Sequence, residues 1–210
     1  MDDDGRPAPD CLERLLAHAR PDRVLVPLQQ DSAGRHYGFF LWRRRSVDVT
    51  AAVVAGDGAV AGAFVFPFVG PLIPRRVVGR IGLPNAEFFI WFDDHEYALR
   101  IVDDPLAETV AVPDALFFHD YGGPSKRVRF LWKQSLRSRQ PPWKTYYEAR
   151  NQLYTFTRLR RDPGELLYYL LYQLRPFVGD ILYEPDRWGR ARLRLAGMRD
   201  GALGRLGKRV

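Results

Sequence analysis

The chain opens with three consecutive aspartates, Asp2, Asp3 and Asp4, followed by Gly5. Carboxylates are the hard oxygen ligands that Mg²⁺ and Mn²⁺ prefer, and a metal held in this way can bind a diphosphate. On an extended segment the side chains of residues i and i+2 point to the same side, so Asp2 and Asp4 could act together while Asp3 faces elsewhere. The alternative is a disordered acidic N-terminus that binds nothing.

A second pair of aspartates, Asp93 and Asp94, follows the apolar run FFIWF at 88–92. This run predicts a strand that delivers the pair to the start of a helix. A carboxylate in that position can take a proton from an attacking hydroxyl, which is the work of a general base, and the helix N-terminus keeps it ionised. The alternative is that Asp93 only caps the helix, with Asp94 and Glu96 as ordinary acids of its first turn.

His119 ends the apolar run ALFFH, at the close of another expected strand. A histidine nitrogen can complete a metal site that two groups of carboxylates begin. The alternative is a structural histidine at the end of a buried strand.

The residues between these features predict short strands that alternate with short helices. Strands are expected at 23–27, 36–42, 47–54, 63–69, 88–92 and 108–112. Helices are expected at 10–19, 74–81 and 94–102. This order favours an α/β core.

The pattern changes after residue 120. The sequence YGGPSK at 121–126 predicts a loop, and helices are expected at 143–160 and 164–182. Pro176 is expected to kink or end the second of them. The tail at 186–210 is rich in Gly and Arg, so we expect it to be only partly ordered.

The charge divides at the same place. Residues 1–120 carry 12 Lys and Arg against 18 Asp and Glu, whereas residues 121–210 carry 20 against 7. An acidic first part suits a site for a divalent cation. A basic second part suits an anionic surface, such as phospholipid headgroups, a diphosphate or nucleic acid. The alternative is a solvated basic surface without a partner.

Cellular location is constrained by cysteine use and by the termini. The single Cys11 excludes an internal disulfide framework and fits a reducing compartment. The start MDDDGRP has neither the basic flank nor the apolar core of a signal peptide, and the apolar stretch 59–73 is too short to span a bilayer. We therefore expect a cytoplasmic protein, with peripheral attachment to the inner face of the plasma membrane as one option.

Three segments taken in order resemble one known family. They are MDDDGRPAPDCLERLL, then FVGPLIPRRVVGRIGLPNAEFFIWFDDHEYALR, then VPDALFFH. Together they resemble the second half of bacterial family 2 glycosyltransferases with the GT-A fold, most of all the galactofuranosyltransferases and rhamnosyltransferases of cell-wall polysaccharide synthesis. The segment YYEARNQLY at 146–154 is also similar to a helix that follows the catalytic domain in those enzymes.

The resemblance implies roles for the acidic residues and the histidine. Asp2 and Asp4 take the D-x-D role and, with His119, hold Mn²⁺ or Mg²⁺. Asp94 becomes the base that deprotonates the acceptor hydroxyl. The reaction implied is an inverting transfer of a sugar from a nucleotide-diphosphate donor, of the UDP-galactofuranose or dTDP-rhamnose type, to a glycan or polyprenyl-linked acceptor.

The resemblance also implies an acceptor site. Asp93 and Glu96 contact the acceptor sugar, and Trp91 and Phe92 line its pocket. In the family, several nucleotide-binding strands precede the D-x-D segment, which here begins at residue 2. We therefore expect a truncated GT-A mixed sheet followed by a basic helical C-terminal segment, and a chain whose own activity is impaired.

The expected domains are an acceptor-side part of the catalytic domain at 1–125 and the basic helical segment at 126–210. A second function from another class stays open, namely a non-catalytic module derived from such an enzyme that binds a membrane surface or a partner protein. A nucleic-acid partner is not expected, because no binding motif accompanies the positive charge.

Overall fold

The computed structural model describes residues 5–120, 125–130, 132–138 and 140–210. It confirms the coarse expectation of a mixed α/β chain in which a mixed sheet is followed by helices. Asp2 and Asp4 lie outside the described residues, and so does most of the expected loop at 121–126.

The chain forms two compact units. The first contains Met1–Pro84 and Asp94–Tyr121, and the second contains Asn85–Asp93 and Gly122–Val210. The chain therefore leaves the first unit after Pro84 and returns to it between Asp93 and Asp94. The short segment 85–93 belongs with the helices of the second unit.

Short strands and helices alternate in the first unit, as the sequence predicts. Its strands are β1 (Arg6–Pro7), β2 (Arg23–Gln30), β3 (His36–Tyr37), β4 (Phe40–Trp42), β5 (Ser46–Asp48), β6 (Val60–Gly62), β7 (Phe64–Val65) and β8 (Glu108–Phe118). Its helices are α1 (Cys11–Leu16), α2 (Thr50–Val54), α3 (Arg75–Ile81) and α4 (Asp93–Asp103), the last of which begins at the boundary between the units.

Strand β8 is the centre of the main sheet. It pairs in parallel with β2 and antiparallel with β1 and β6, while β2 pairs antiparallel with β3. Because β2 and β8 are parallel, their carboxyl ends lie at the same edge, where Gln30 is opposite Phe118. In open α/β sheets this edge is the usual position of a ligand site.

The core of the first unit forms where α1 packs on this sheet. Cys11 and Leu15 on α1 are buried together with Leu25, Val110 and Phe117 on the strands. Strands β4, β5 and β7 form a separate antiparallel sheet. The parallel strands are apolar almost throughout, as expected for strands buried on both faces.

The second unit consists of a hairpin and three long helices. The hairpin pairs β9 (Ser125–Phe130) with β10 (Lys133–Ser138), and the sequence did not predict it. The helices are α5 (Pro142–Tyr154), α6 (Pro163–Tyr183) and α7 (Arg187–Ala202), and a π-helical turn, Thr155–Arg160, follows α5. Across the described part of the chain, no helix combines the length and the apolar character that crossing a membrane requires.

Several predicted elements of the first unit are wrong in detail. The strand expected at 36–42 is broken into β3 and β4, because Gly38 adopts a φ of 110° that a continuous strand does not allow. The strand expected at 47–54 is mostly helix α2. The Asp48 carboxylate accepts a hydrogen bond from the Thr50 N–H at 2.9 Å and so starts a helical turn.

In the C-terminal part, the helix expected at 164–182 is confirmed as α6. Of the two outcomes expected at Pro176, the end of the helix is wrong, because α6 continues to Tyr183 with Gln173 and Asp180 buried on either side of the proline. The expectation for the tail is also wrong. The tail expected to be partly ordered contains α7, which packs closely along α5.

Two glycines let α7 approach α5. Gly197 and Gly201 are four residues apart and therefore lie on one side of α7. A Cβ atom at Gly197 would overlap the Tyr146 carbonyl oxygen, and one at Gly201 would overlap that of Arg150. The Tyr146 hydroxyl also donates to the Asp200 carboxylate at 2.7 Å. Burial and this hydrogen bond raise the pKa of Tyr146 to about 12.

We predict that Gly197→Ala lowers the free energy of unfolding by about 1–3 kcal/mol, because the added methyl group forces the helices apart. The matched control is Gly79→Ala on α3, where an added Cβ meets nothing within 4 Å; it should stabilise by about 0.5–1 kcal/mol. Urea unfolding measures both changes. Equal effects of the two substitutions would contradict the close packing of α5 and α7.

Candidate functional site

His119 lies at the carboxyl edge of the main sheet. It follows β8 directly, and its N–H donates to the Gln30 carbonyl at the end of β2 at 3.0 Å. Asp31, which follows β2, accepts hydrogen bonds from the N–H groups of Ala33 and Arg35 and so closes a tight turn. These bonds fix the position of His119 relative to both parallel strands.

The hydrogen bonds of Tyr37 define the ring tautomer of His119. The Tyr37 oxygen lies 2.5 Å from the His119 carbonyl oxygen and 2.7 Å from its Nδ1 atom. A carbonyl oxygen can only accept, so the single hydroxyl proton goes to it, and Nδ1–H then donates to the Tyr37 oxygen. The acceptor lone pair of the ring therefore lies on Nε2. This is the arrangement in which metal-ligating histidines are found, with the second ring N–H donated to another group.

The residue that follows the three aspartates lies beside His119. Strand β1 pairs antiparallel with the end of β8, with Arg6 opposite Phe118, and a Cβ atom on Gly5 would lie 3.7 Å from His119 Cδ2. Within the described residues, no three His, Cys, Asp or Glu side chains form a group that could hold a metal. The predicted ligands Asp2 and Asp4 are not among those residues.

The run FFIWF at 88–92 is not the predicted strand. Ala86–Phe88 form a 3-10 turn, and Phe89, Trp91 and Phe92 all have positive φ angles, of 66°, 73° and 69°. At Phe89 the Ile90 N–H donates to the Phe88 carbonyl at 2.8 Å, which closes a γ-turn of the rare positive-φ form. Each such residue costs on the order of 1–3 kcal/mol and persists only where its surroundings impose it.

The strained segment is held by the buried amide of Asn151. Its Nδ2 atom lies 3.1, 2.9 and 2.7 Å from the carbonyl oxygens of Phe88, Ile90 and Trp91. Its Oδ1 atom accepts from Arg150 Nε at 2.8 Å. An arginine can only donate, so this contact fixes which end of the amide faces the segment. Carbonyls that would point outward in a strand are thereby turned towards one donor.

Arg150 completes the contact. Its Nη2 atom donates to the Phe88 carbonyl at 2.8 Å, its Nη1 atom donates to the Gly207 carbonyl, and its guanidinium lies 4.8 Å from the centre of the Tyr147 ring. Both Arg150 and Asn151 are 0% exposed. Burial lowers the pKa of the Arg150 guanidinium, which stays charged because its ordinary value is so high. We call Arg150 and Asn151 the clamp.

The end of the chain packs on the same segment. The Gly207 N–H donates to the Glu87 carbonyl at 2.8 Å, and the ammonium of Lys208 lies 5.4 Å from the centre of the Phe89 ring. The Tyr147 hydroxyl donates to the Val210 carbonyl at 2.9 Å. The segment 87–91 is thus held by α5 and by the residues that follow α7.

Asp93 and Asp94 begin α4, as the sequence predicts for a helix at 94–102. Both residues are half-buried, and the backbone N–H of His95 donates to Asp94 Oδ1 with a nitrogen–oxygen distance of 2.6 Å. The helix is anchored by Arg100, which donates to the carbonyls of Ile81 and Leu83 at the end of α3. Asp94 therefore stands on an element with a fixed position in the first unit.

Glu96 lies one turn further along α4 and is buried. Its Oε2 atom accepts from Arg100 Nη2 at 3.1 Å, and Arg100 Nε lies 2.8 Å from its Oε1 atom. The Nε–Oε1 contact is therefore an ion pair without hydrogen-bond geometry, because Arg100 Nε has no hydrogen-bond partner among the described residues. The directional bond between the two side chains is the one from Nη2. The contact of Glu96 with an acceptor sugar stays a prediction.

Trp91 is exposed and borders a cavity of the second unit. The cavity has a volume of about 660 Å³, and Thr145, Glu148, Tyr172 and Arg194 are among its lining residues. This size lies within the range of small-molecule sites. Phe92 faces a different neighbour, the Phe156 ring, at a centroid distance of 6.0 Å.

Glu148 is the cavity residue that the sequence analysis missed. Burial raises the pKa of its carboxyl group, and Arg194, with Nη1 3.7 Å from Glu148 Oε2, opposes that rise. A half-buried acid with a raised pKa in a cavity is a common feature of functional sites. Its place in YYEARNQLY, two residues before Arg150, was the available signal.

The sequence matches no protein-family model, and a comparison with curated proteins likewise finds no match.

We predict that Asn151→Asp lowers the free energy of unfolding by about 3–5 kcal/mol, because it replaces a donor by a buried charge facing carbonyl oxygens. The matched control is Asn85→Asp. Asn85 uses its oxygen, which accepts from the Glu87 N–H at 3.1 Å, and aspartate supplies that oxygen equally well, so the change should stay within about 0.5 kcal/mol. Urea unfolding compares the two. A small effect at residue 151 would contradict the role given to the amide.

Proposed function

We propose that this chain is the acceptor-side part of a metal-dependent inverting glycosyltransferase with the GT-A fold. The donor is a nucleotide-diphosphate sugar of the galactofuranose or rhamnose type, and the acceptor is a cell-wall or lipid-linked glycan. The site of action is the cytoplasmic face of the plasma membrane.

The observation that carries the proposal is the position of Gly5 beside His119. Gly5 directly follows the aspartates that the sequence assigns to a metal, and His119 has its acceptor nitrogen at Nε2. Gly5 thus lies beside His119 at the carboxyl edge of the main sheet, although the two are more than a hundred residues apart in sequence. This supports a metal held by Asp2, Asp4 and His119.

The chain's own residues have distinct roles in the proposed transfer. Asp94 accepts the proton of the attacking hydroxyl, and the amino end of α4 favours its ionised form. Tyr37 keeps the His119 ring in the ligating tautomer. Bound Mg²⁺ or Mn²⁺ would stabilise the charge that develops on the leaving diphosphate.

The acceptor would be held beside Asp94 by its chain neighbours. Asp93 and Glu96 are proposed to contact the acceptor sugar, with Trp91 and Phe92 lining the pocket. In support of this, the clamp fixes the backbone that carries Trp91, and a side chain on a fixed backbone can position a substrate.

A second function, the non-catalytic membrane-surface module, is favoured by a specific observation. Within 155–210 the exposed charged residues are almost all basic. Such a module would need neither Asp94 nor His119.

We predict that Mn²⁺ broadens the proton NMR signals of the His119 ring at substoichiometric concentration, because Nε2 lies in the first coordination shell. His119→Ala should abolish the tight Mn²⁺ site. The control His36→Ala removes an exposed histidine of the same sheet and should leave Mn²⁺ affinity unchanged. Equal broadening of His36 and His119 would refute a specific site.

We predict that Asp94→Asn, tested in an enzyme extended by the nucleotide-binding strands of the family, lowers kcat for sugar transfer by about 10²–10⁴-fold, which is the usual contribution of a general base. Donor binding should remain, since only the transition state uses the base. The neighbouring change Asp93→Asn should mainly raise KM for the acceptor. If the Asp94→Asn variant transfers sugar at the normal rate, Asp94 is not the base, and Asp93 and Asp94 serve only to begin the helix.

A further inference from the structure

Helix α6 buries its polar side. Its buried residues include Glu165, Gln173 and Asp180, and all three are bonded to arginines. The Asp180 carboxylate accepts from Arg194 Nη2 at 2.8 Å, and the Gln173 oxygen accepts from Arg194 Nη1 at 2.7 Å. In a water-exposed amphipathic helix the polar side faces outward, so α6 has the opposite arrangement.

The exposed side of α6 carries a continuous apolar stripe. Its spacing of three and four residues places it on one face of the helix, over a length of about 22 Å. The stripe consists of Leu167, Leu171, Leu174, Val178 and Leu182, which are all exposed. A contiguous apolar surface of this kind marks an interaction site, whereas single exposed leucines do not.

The exposed charge of the chain region that contains the stripe is mostly of one sign. Within 155–210 the only exposed acid is Asp186, against nine exposed bases, which are Arg158, Arg161, Arg175, Arg187, Arg192, Arg199, Arg205, Lys208 and Arg209. Of the remaining acids, Glu165, Asp180 and Asp200 are buried, and Asp162 and Glu184 are partly buried. Glu165 is paired with Arg160, for example, and Glu184 with Arg137. The fold therefore sharpens the positive charge that the sequence already carries.

Arg175 and helix α7 also combine exposed basic residues with exposed apolar residues. Arg175 lies at the edge of the stripe, one residue after Leu174. Helix α7 exposes Trp188 and Leu195 together with Arg187 and Arg192. Leucine, tryptophan and arginine on exposed helix faces are the composition of helices that lie in the headgroup region of a membrane.

We propose that α6 lies flat on an anionic lipid surface, with its leucine stripe in the boundary between headgroups and acyl chains and with Arg175 and other exposed arginines of 155–210 on lipid phosphates. A second copy of this chain fits less well. A two-fold contact brings the same patch of each copy together, so Arg175 and its like-charged neighbours would face one another. Anionic lipid satisfies both the apolar and the basic part. The inference names the helix and the lipid chemistry of the membrane-surface function proposed above, on which it rests, and it does not depend on the catalytic one.

Vesicle flotation tests the stripe. Wild-type protein should bind vesicles of phosphatidylcholine mixed with phosphatidylglycerol, and Leu171→Gln with Leu174→Gln should weaken that binding by at least about tenfold. The matched control changes two leucines of the first unit, Leu12→Gln and Leu106→Gln. The four side chains are similarly exposed, at 58%, 57%, 57% and 64%. Equal losses in both double variants would overturn the proposal.

The arginines give a second test by an independent route. Arg175→Gln, Arg187→Gln and Arg192→Gln together should weaken binding to the anionic vesicles by about 100-fold. The control triple Arg20→Gln, Arg43→Gln and Arg75→Gln removes exposed arginines of the first unit and should have little effect. Salt should weaken wild-type binding steeply.

Two further results would overturn the proposal. One is equal binding to anionic and to pure phosphatidylcholine vesicles at every salt concentration. The other is a wild-type oligomer, seen by light scattering, that the leucine variants dissociate while no vesicle binding is found. The second result would assign the stripe to a contact between copies of this chain.

Discussion

The buried guanidinium of Arg150 and the amide of Asn151 are the contacts on which the conformation of the segment 87–91 depends. Fully buried donors of this strength require acceptors, and they find them in the carbonyls of a segment about sixty residues earlier in the chain. That segment can satisfy them only by turning its carbonyls inward, which explains its positive φ angles. The acids that follow, Asp93 and Asp94, start a helix where the held segment ends.

Much of the alternation of strands and helices follows from local pattern, and the exceptions have a common cause. The strands that begin at Arg23 and Glu108 and the helices α5 and α6 carry clear periodicity, so the sequence predicts them. FFIWF reads as a strand by composition, and only the distant clamp turns it into a strained loop. Helix α7 was missed because glycines, not apolar side chains, pack it against α5. Contacts distant in sequence leave no periodic signal.

The residues of the candidate site are also only partly predictable from the sequence. The sequence predicts His119 and the aspartates by residue type, but not Tyr37, whose hydroxyl sets the tautomer of His119. Nor does it predict that the acids near α6 are paired internally while the leucines are exposed, because a helical period does not say which face is buried. Burial of the acids beside arginines decides that face, and it leaves the surface of the second unit basic and apolar together.

Hydrogen exchange of the amides in 86–92 tests the central role of the clamp most directly. If Arg150 and Asn151 hold the segment, its bonded amides, such as that of Ile90, should be protected in the wild-type protein. They should exchange much faster in Asn151→Asp, with β8 still protected, because a local unit opens before the whole fold. Segment exchange that is fast in the wild-type protein, or unchanged in the variant, would contradict the account.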